Sequence, residues 1–127
     1  MEKLVDHELE KMTPEQEEQI RESLAGKEVR DQLAHEYIDI NIALQLRSMR
    51  KAKGLNQSEL ASKIGKSKRT ISDWENPCSA CPSITDLFLL ATFFDVALLV
   101  RFMSFDELIE SISKPYPVPA SFNKEKE

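Results

Sequence analysis

The sequence predicts a mainly all-α chain with an N-terminal helical arm, a central group of short helices, and a short C-terminal strand followed by one more helix. Three observations carry that expectation. Apolar residues recur at three- and four-residue spacing from Ile20 to Phe94. Helix-opening pairs, a Ser, Thr or Asn followed three residues on by Gln, Glu or Asp, occur at Thr13, Asn56, Ser83 and Ser104. Gly26, Gly54 and Gly65 fall where the periodic stretches stop.

Taken in order, Thr13-Pro14-Glu15-Gln16 is a capping box with proline at the first helical position, and Ile20 and Leu24 follow one turn apart. A second pattern runs from Glu28 through Val29, Leu33, Tyr37, Ile40, Ile42, Leu46 and Met49 to Gly54, as one long helix or two in sequence. Residues 1–41 therefore read as a packing or dimerising arm. Asn56 with Glu59 opens the next helix, Leu60, Ala61 and Ile64 form its apolar face, and Gly65 ends it. Ser67 caps a further helix from Lys68 to about Asn76, with Ile71 and Trp74 inward. Two short helices meeting at a glycine-containing turn make a helix-turn-helix. Ser83 and Asp86 open a helix that runs to about Asp95 and closes a domain over residues 42–96. Ile42, Leu46, Leu55, Leu60, Ile64, Ile71, Trp74, Leu87, Leu90 and Phe94 are the expected core.

Residues 97–127 form the third segment. Val96 to Met103 is apolar and uncapped, and the pattern at Ser104-Phe105-Asp106-Glu107 requires a break before a new helix. Ala97 to Met103 is thus expected as a strand, which needs a partner for its backbone groups. A second copy of the chain would supply one, making this a dimerisation element; pairing with Tyr116 to Val118 of the same chain is the alternative. The tail from Lys114, with Pro115, Pro117 and Pro119, is expected to be extended and to fray at Asn123 to Glu127.

Charge is distributed unevenly. The net charge of −5 over 127 residues excludes a uniformly basic nucleic-acid coat. Yet residues 42–77 hold eight basic against three acidic side chains, a net of +5, between flanks of −7 (residues 1–41) and −3 (residues 78–127). The flanks should repel DNA and so limit non-specific binding. The N-terminus lacks a secretory pattern, and Leu87 to Met103, broken by Asp95 and Arg101, is too short to span a bilayer. A cytoplasmic protein without membrane association is expected.

The outward face of the helix from Lys68 presents Lys68, Arg69, Thr70, Ser72, Asp73 and Asn76, all polar. Arg and Lys can donate to guanine O6 and N7, and Asp can accept from cytosine N4. The positive helix N-terminus favours a nearby phosphate. The competing reading is a solvated surface with no ligand. Trp74 aligns with Ile71 rather than with Lys68 and Arg69, so it belongs to the core and not to base stacking.

Residues 42 to about 96, IALQLRSMRKAKGLNQSELASKIGKSKRTISDWEN and onward, closely resemble the lambda-repressor-like helix-turn-helix of the Cro and CI repressors, the xenobiotic-response-element family of transcriptional regulators. The likeness rests on Arg-x-x-x-Gly-Leu-x-Gln at Arg50 to Gln57, Glu59-Leu60-Ala61, Gly65, Thr70-Ile71-Ser72 and Trp74-Glu75-Asn76. The resemblance implies a sequence-specific DNA-binding regulator that reads an operator in double-stranded DNA, and the strand expected at Ala97 to Met103 would make it a homodimer. By it, Lys68, Arg69, Asp73 and Ser72 reach base edges, whereas Gln57, Ser67, Thr70, Asn76 and Lys66 face phosphates. Arg50 and Glu75 would form a structural ion pair. Pro77 departs from the glycine common in the family after Asn76, which puts the Asn76 assignment in doubt. The wider stretch from Lys27 to Phe122 is similar to one bacterial and phage subgroup. An antitoxin or phage-type control protein, gripping a partner protein through the acidic arm or the tail, is the alternative.

Cys78-Ser79-Ala80-Cys81 has the spacing of half a zinc site, but His7 and His35 lack ligand spacing. Two ordinary loop thiols are the simpler expectation, beside a redox pair or thiol catalyst. No cofactor and no catalysis are expected, since no nucleophile set or phosphate-binding glycine loop is present.

Overall fold

A computed structural model describes residues 13–23 and 26–112, which carry six helices: α1 (Pro14–Ser23), α2 (Lys27–Ala52), α3 (Gln57–Ile64), α4 (Lys68–Trp74), α5 (Ile84–Phe94) and α6 (Phe105–Ile112). Among the described residues, 13–38 and 101–112 belong to one compact unit and 39–100 to another. The pattern from Glu28 to Gly54 is a single helix, α2, which resolves the choice between one helix and two.

In the unit of residues 39–100, Leu46, Leu60, Ala61, Ile64, Ile71, Trp74, Leu90 and Phe94 form one buried cluster. Met49, Leu55, Leu87 and Val96 pack against it half-buried. Of the ten expected core residues, Leu55, Leu87 and Ile42 are half-buried and the other seven are buried. Leu60 and Ile71, both 0% exposed, lock α3 against α4. Shortening either would forfeit its transfer free energy and open a cavity.

Local chemistry sets the helix ends. The Asn56 side chain accepts from the Glu59 amide at 2.8 Å while the Glu59 carboxylate accepts from the Asn56 amide at 3.0 Å, the reciprocal arrangement that satisfies both donors. Gly65 closes α3 at φ 70°, a left-handed conformation in which a β-carbon is strained, and its amide donates to the Ala61 carbonyl. Ser67 then caps α4. That helix ends at Trp74, two residues before the expected Asn76. Ser83 and Asp86 form a second capping box at α5, which ends at Asp95 in a left-handed turn.

The unit of residues 13–38 and 101–112 is built on α1, the first part of α2, and α6. Thr13 and Gln16 cap α1 reciprocally, and Ser104 and Glu107 do the same for α6. Arg21 pairs with Asp106 at 2.7 Å, the Arg30 guanidinium lies 5.2 Å from the Phe105 ring centre, and Leu108 and Ile109 are buried. Tyr37 donates its hydroxyl to the Ser111 carbonyl at 3.5 Å.

The expected strand at Ala97 to Met103 does not form. Residues 96–104 have no regular structure, and none of the backbone hydrogen bonds among the described residues involves residues 97–103. Apolar composition marks such a stretch as able to enter a sheet, but a strand exists only when a second backbone pairs with it. Instead, Leu99, Val100, Phe102 and Met103 are exposed. Leu24, His7 and the tail from Lys114, including the Tyr116 to Val118 pairing partner, lie outside the described residues.

Candidate nucleic-acid interface

The candidate surface is assembled from α3, the turn at Gly65–Ser67, α4 and the loop after it. In α4, Ile71 and Trp74 point into the core, so the helical repeat turns Lys68, Arg69 and Ser72 outward, and all three are exposed. Among the described residues, these three side chains make no hydrogen bond or ion pair. Asp73 is half-buried and accepts a long bond from the Ser79 hydroxyl at 3.4 Å.

The flanking polar residues are engaged. The Ser67 hydroxyl accepts from the Thr70 amide at 3.1 Å and shares a hydrogen bond of 2.9 Å with the Thr70 hydroxyl. Asn76 accepts from the Cys78 amide at 3.1 Å, a local turn of the kind Asn favours, and this sets the exit path that Pro77 takes. Lys66 reaches Asp86 at 3.2 Å, with its ammonium 6.0 Å from the centre of the Trp74 ring. Burial raises the Asp86 pKa, but the Ser83 hydrogen bonds and Lys66 outweigh it and hold the carboxyl below its ordinary value.

Beneath this surface lies a buried fork. Arg50 Nε donates to Glu75 Oε2 at 2.6 Å and Arg50 Nη2 to Glu75 Oε1 at 2.8 Å, with the two side chains only 10% and 4% exposed. Arg50 Nη1 also donates to the Leu55 carbonyl at 2.8 Å. The pair ties the end of α2 to the end of α4, and removing one partner of such a pair costs about 3–5 kcal/mol because the other is left buried and uncompensated. Half-buried Gln57 donates its side-chain amide to Glu75 Oε1 at 3.3 Å.

Sequence reasoning missed three of these contacts: Lys66 to Asp86, Gln57 to Glu75, and Ser79 to Asp73. Asp86 was legible only as a capping partner, although a carboxylate has room for a second donor. Cys78 and Cys81 are free, exposed thiols, and burial followed by the Asp39 charge pushes the Cys81 thiol up, away from the reactive thiolate. Among the described residues, no group of three or more His, Cys, Asp or Glu side chains converges on a metal position.

Two helices joined by a tight glycine turn, the second offering free cationic side chains, define a helix-turn-helix DNA-binding module. Residues 46–100 match the model of a helix-turn-helix family, which supports a lambda-repressor-like module of Cro/CI type, the xenobiotic-response-element family, in this part of the chain. No curated protein and no solved structure matches the chain. None of the described helices is long and apolar enough to cross a membrane.

Proposed function

We propose that the protein is a sequence-specific transcriptional regulator that lays α4 in the major groove of an operator and acts as a homodimer. The observation that carries this reading is the exposure of Lys68, Arg69 and Ser72 on the face opposite the buried Ile71 and Trp74. Donors held by a packed helix and not spent on intramolecular bonds are what base-edge recognition needs. These three lead the base-reading set, and Asp73 joins it by exchanging its long bond to Ser79. Gln57 and the capping residues Ser67 and Thr70 face the phosphates, joined by Lys66 and Asn76 when they leave Asp86 and the Cys78 amide.

The dimer is supported by the exposed apolar residues Leu99 and Val100, which a second copy would cover. Two recognition helices about 34–36 Å apart would meet successive major grooves on a pseudo-palindrome. Selection of bound fragments from random duplex DNA at a fixed salt concentration tests the reading, because affinity depends steeply on salt. Arg69→Ala and Lys68→Ala are expected to lose about 1–3 kcal/mol of discrimination at particular base pairs. Gln57→Ala is expected to weaken binding evenly across sequences. An even loss for Arg69→Ala would contradict direct readout.

A further inference from the structure

We propose that Glu75 is a positioning residue for DNA docking: it holds the Gln57 side chain at the mouth of α3, in the pose from which its amide meets a phosphate. The inference rests on the DNA-binding reading above and adds a role for a residue that touches no DNA itself.

The Glu75 carboxylate receives three donors from two different helices. Two come from the Arg50 guanidinium at the end of α2, and one from the Gln57 amide at the first position of α3. Glu75 itself sits at the C-cap of α4. A free glutamine side chain samples many rotamers and loses that freedom when it binds, whereas one already held loses less. The amide nitrogen of Gln57 carries two hydrogens, so donating one to Glu75 leaves the other for an acceptor outside the domain.

Charge makes this arrangement compatible with a polyanion. A lone carboxylate next to a phosphate-binding amide would repel the phosphate. Here the bidentate guanidinium neutralises Glu75, donating to both carboxylate oxygens and sharing Oε1 with the Gln57 amide, and the Leu55 carbonyl accepts a further Arg50 hydrogen bond that fixes the fork. Arg50 and Glu75 together thus supply a neutral, rigid acceptor that orients an amide, in addition to joining two helices.

A double-mutant cycle tests the proposal in the full chain. The affinity of wild type, Gln57→Ala, Glu75→Asp and the double variant is measured on a mixed-sequence duplex and on the duplex recovered by selection, at one salt concentration. Glu75→Asp keeps the charge for Arg50 but draws the carboxylate back from Gln57, whereas Glu75→Gln would leave an acceptor oxygen in place. Thermal denaturation establishes which variants are folded at the binding temperature. Where Glu75→Asp is not folded there, Glu75→Leu combined with Arg50→Met replaces it, since it removes the acceptor together with the charge that faced it. Gln57→Ala is expected to lose about tenfold on both duplexes, as for a hydrogen bond to a charged group. With Glu75 changed, the same substitution is expected to lose less than about threefold, a coupling that a purely structural role for Glu75 would not produce. Equal losses in the two backgrounds overturn the positioning role and leave DNA binding standing. A wild-type chain that binds neither duplex removes both.

Discussion

Two connections in this molecule link helices by opposite means. The turn between α3 and α4 is three residues long, Gly65 to Ser67; the Gly65 and Lys66 amides donate to the Ala61 carbonyl, and the Ser67 hydroxyl accepts from the Thr70 amide. The connection between α5 and α6 runs through residues 96–104, and its apolar side chains Leu99, Val100 and Phe102 stand exposed. The first is complete within a few residues of chain. The second has the composition of a buried element without cover among the described residues, and for it the chain needs something beyond its own local sequence.

The sharpest way to break this contrast is to attack the packing that the short turn serves. Ile71→Ala is expected to destabilise the unit of residues 39–100 by about 2–5 kcal/mol, read from chemical denaturation, since the side chain is fully buried between α3 and its neighbours. A loss under 1 kcal/mol would mean that α4 is held by its caps rather than by the core. Gly65→Ala comes next. Among the described residues beyond its chain neighbours, no atom lies within 4 Å of the added methyl, so the cost is the left-handed backbone, about 1 kcal/mol. A neutral result would show that the turn relaxes freely and does not set the angle between the two helices.

How far each region is legible in the sequence follows from the same contrast. Caps and glycine stops are short-range, and Asn56 with Glu59, Gly65, Ser67 and Ser83 with Asp86 open or close helices where the spacing predicts. Burial of Ile71 and Trp74 follows from helical periodicity, and that periodicity also turns Lys68 and Arg69 outward. Long-range polar contacts leave no such trace. Nothing in the spacing says that Lys66 spends its ammonium on Asp86, or that Gln57 lies against Glu75, because those partners are brought together only by the fold. The strand at Ala97 to Met103 failed for a related reason. Strand propensity describes a fit to a sheet, and pairing is a property of two backbones, only one of which the local sequence contains.

The smallest expected effect on stability sharpens the comparison most. Leu99 is 79% exposed, and the substitution Leu99→Asp removes no packed contact within the described residues, so denaturation is expected to shift by no more than about 0.5 kcal/mol. If a second copy covers this segment, the same substitution buries an unpaired charge in the interface and is expected to abolish self-association. Sedimentation at high micromolar concentration would then give a dimer for the wild type and a monomer for the variant. Binding to a two-half-site duplex should fall while binding to a single half-site stays unchanged, because α4 is untouched and only the link between two reading helices is lost. A wild type that sediments as a monomer, or a variant that dimerises equally well, would reassign residues 96–104 from an interface to a plain connection. A variant that unfolds would mean that Leu99 is covered within its own chain, which would make the longer connection as self-contained as the short turn.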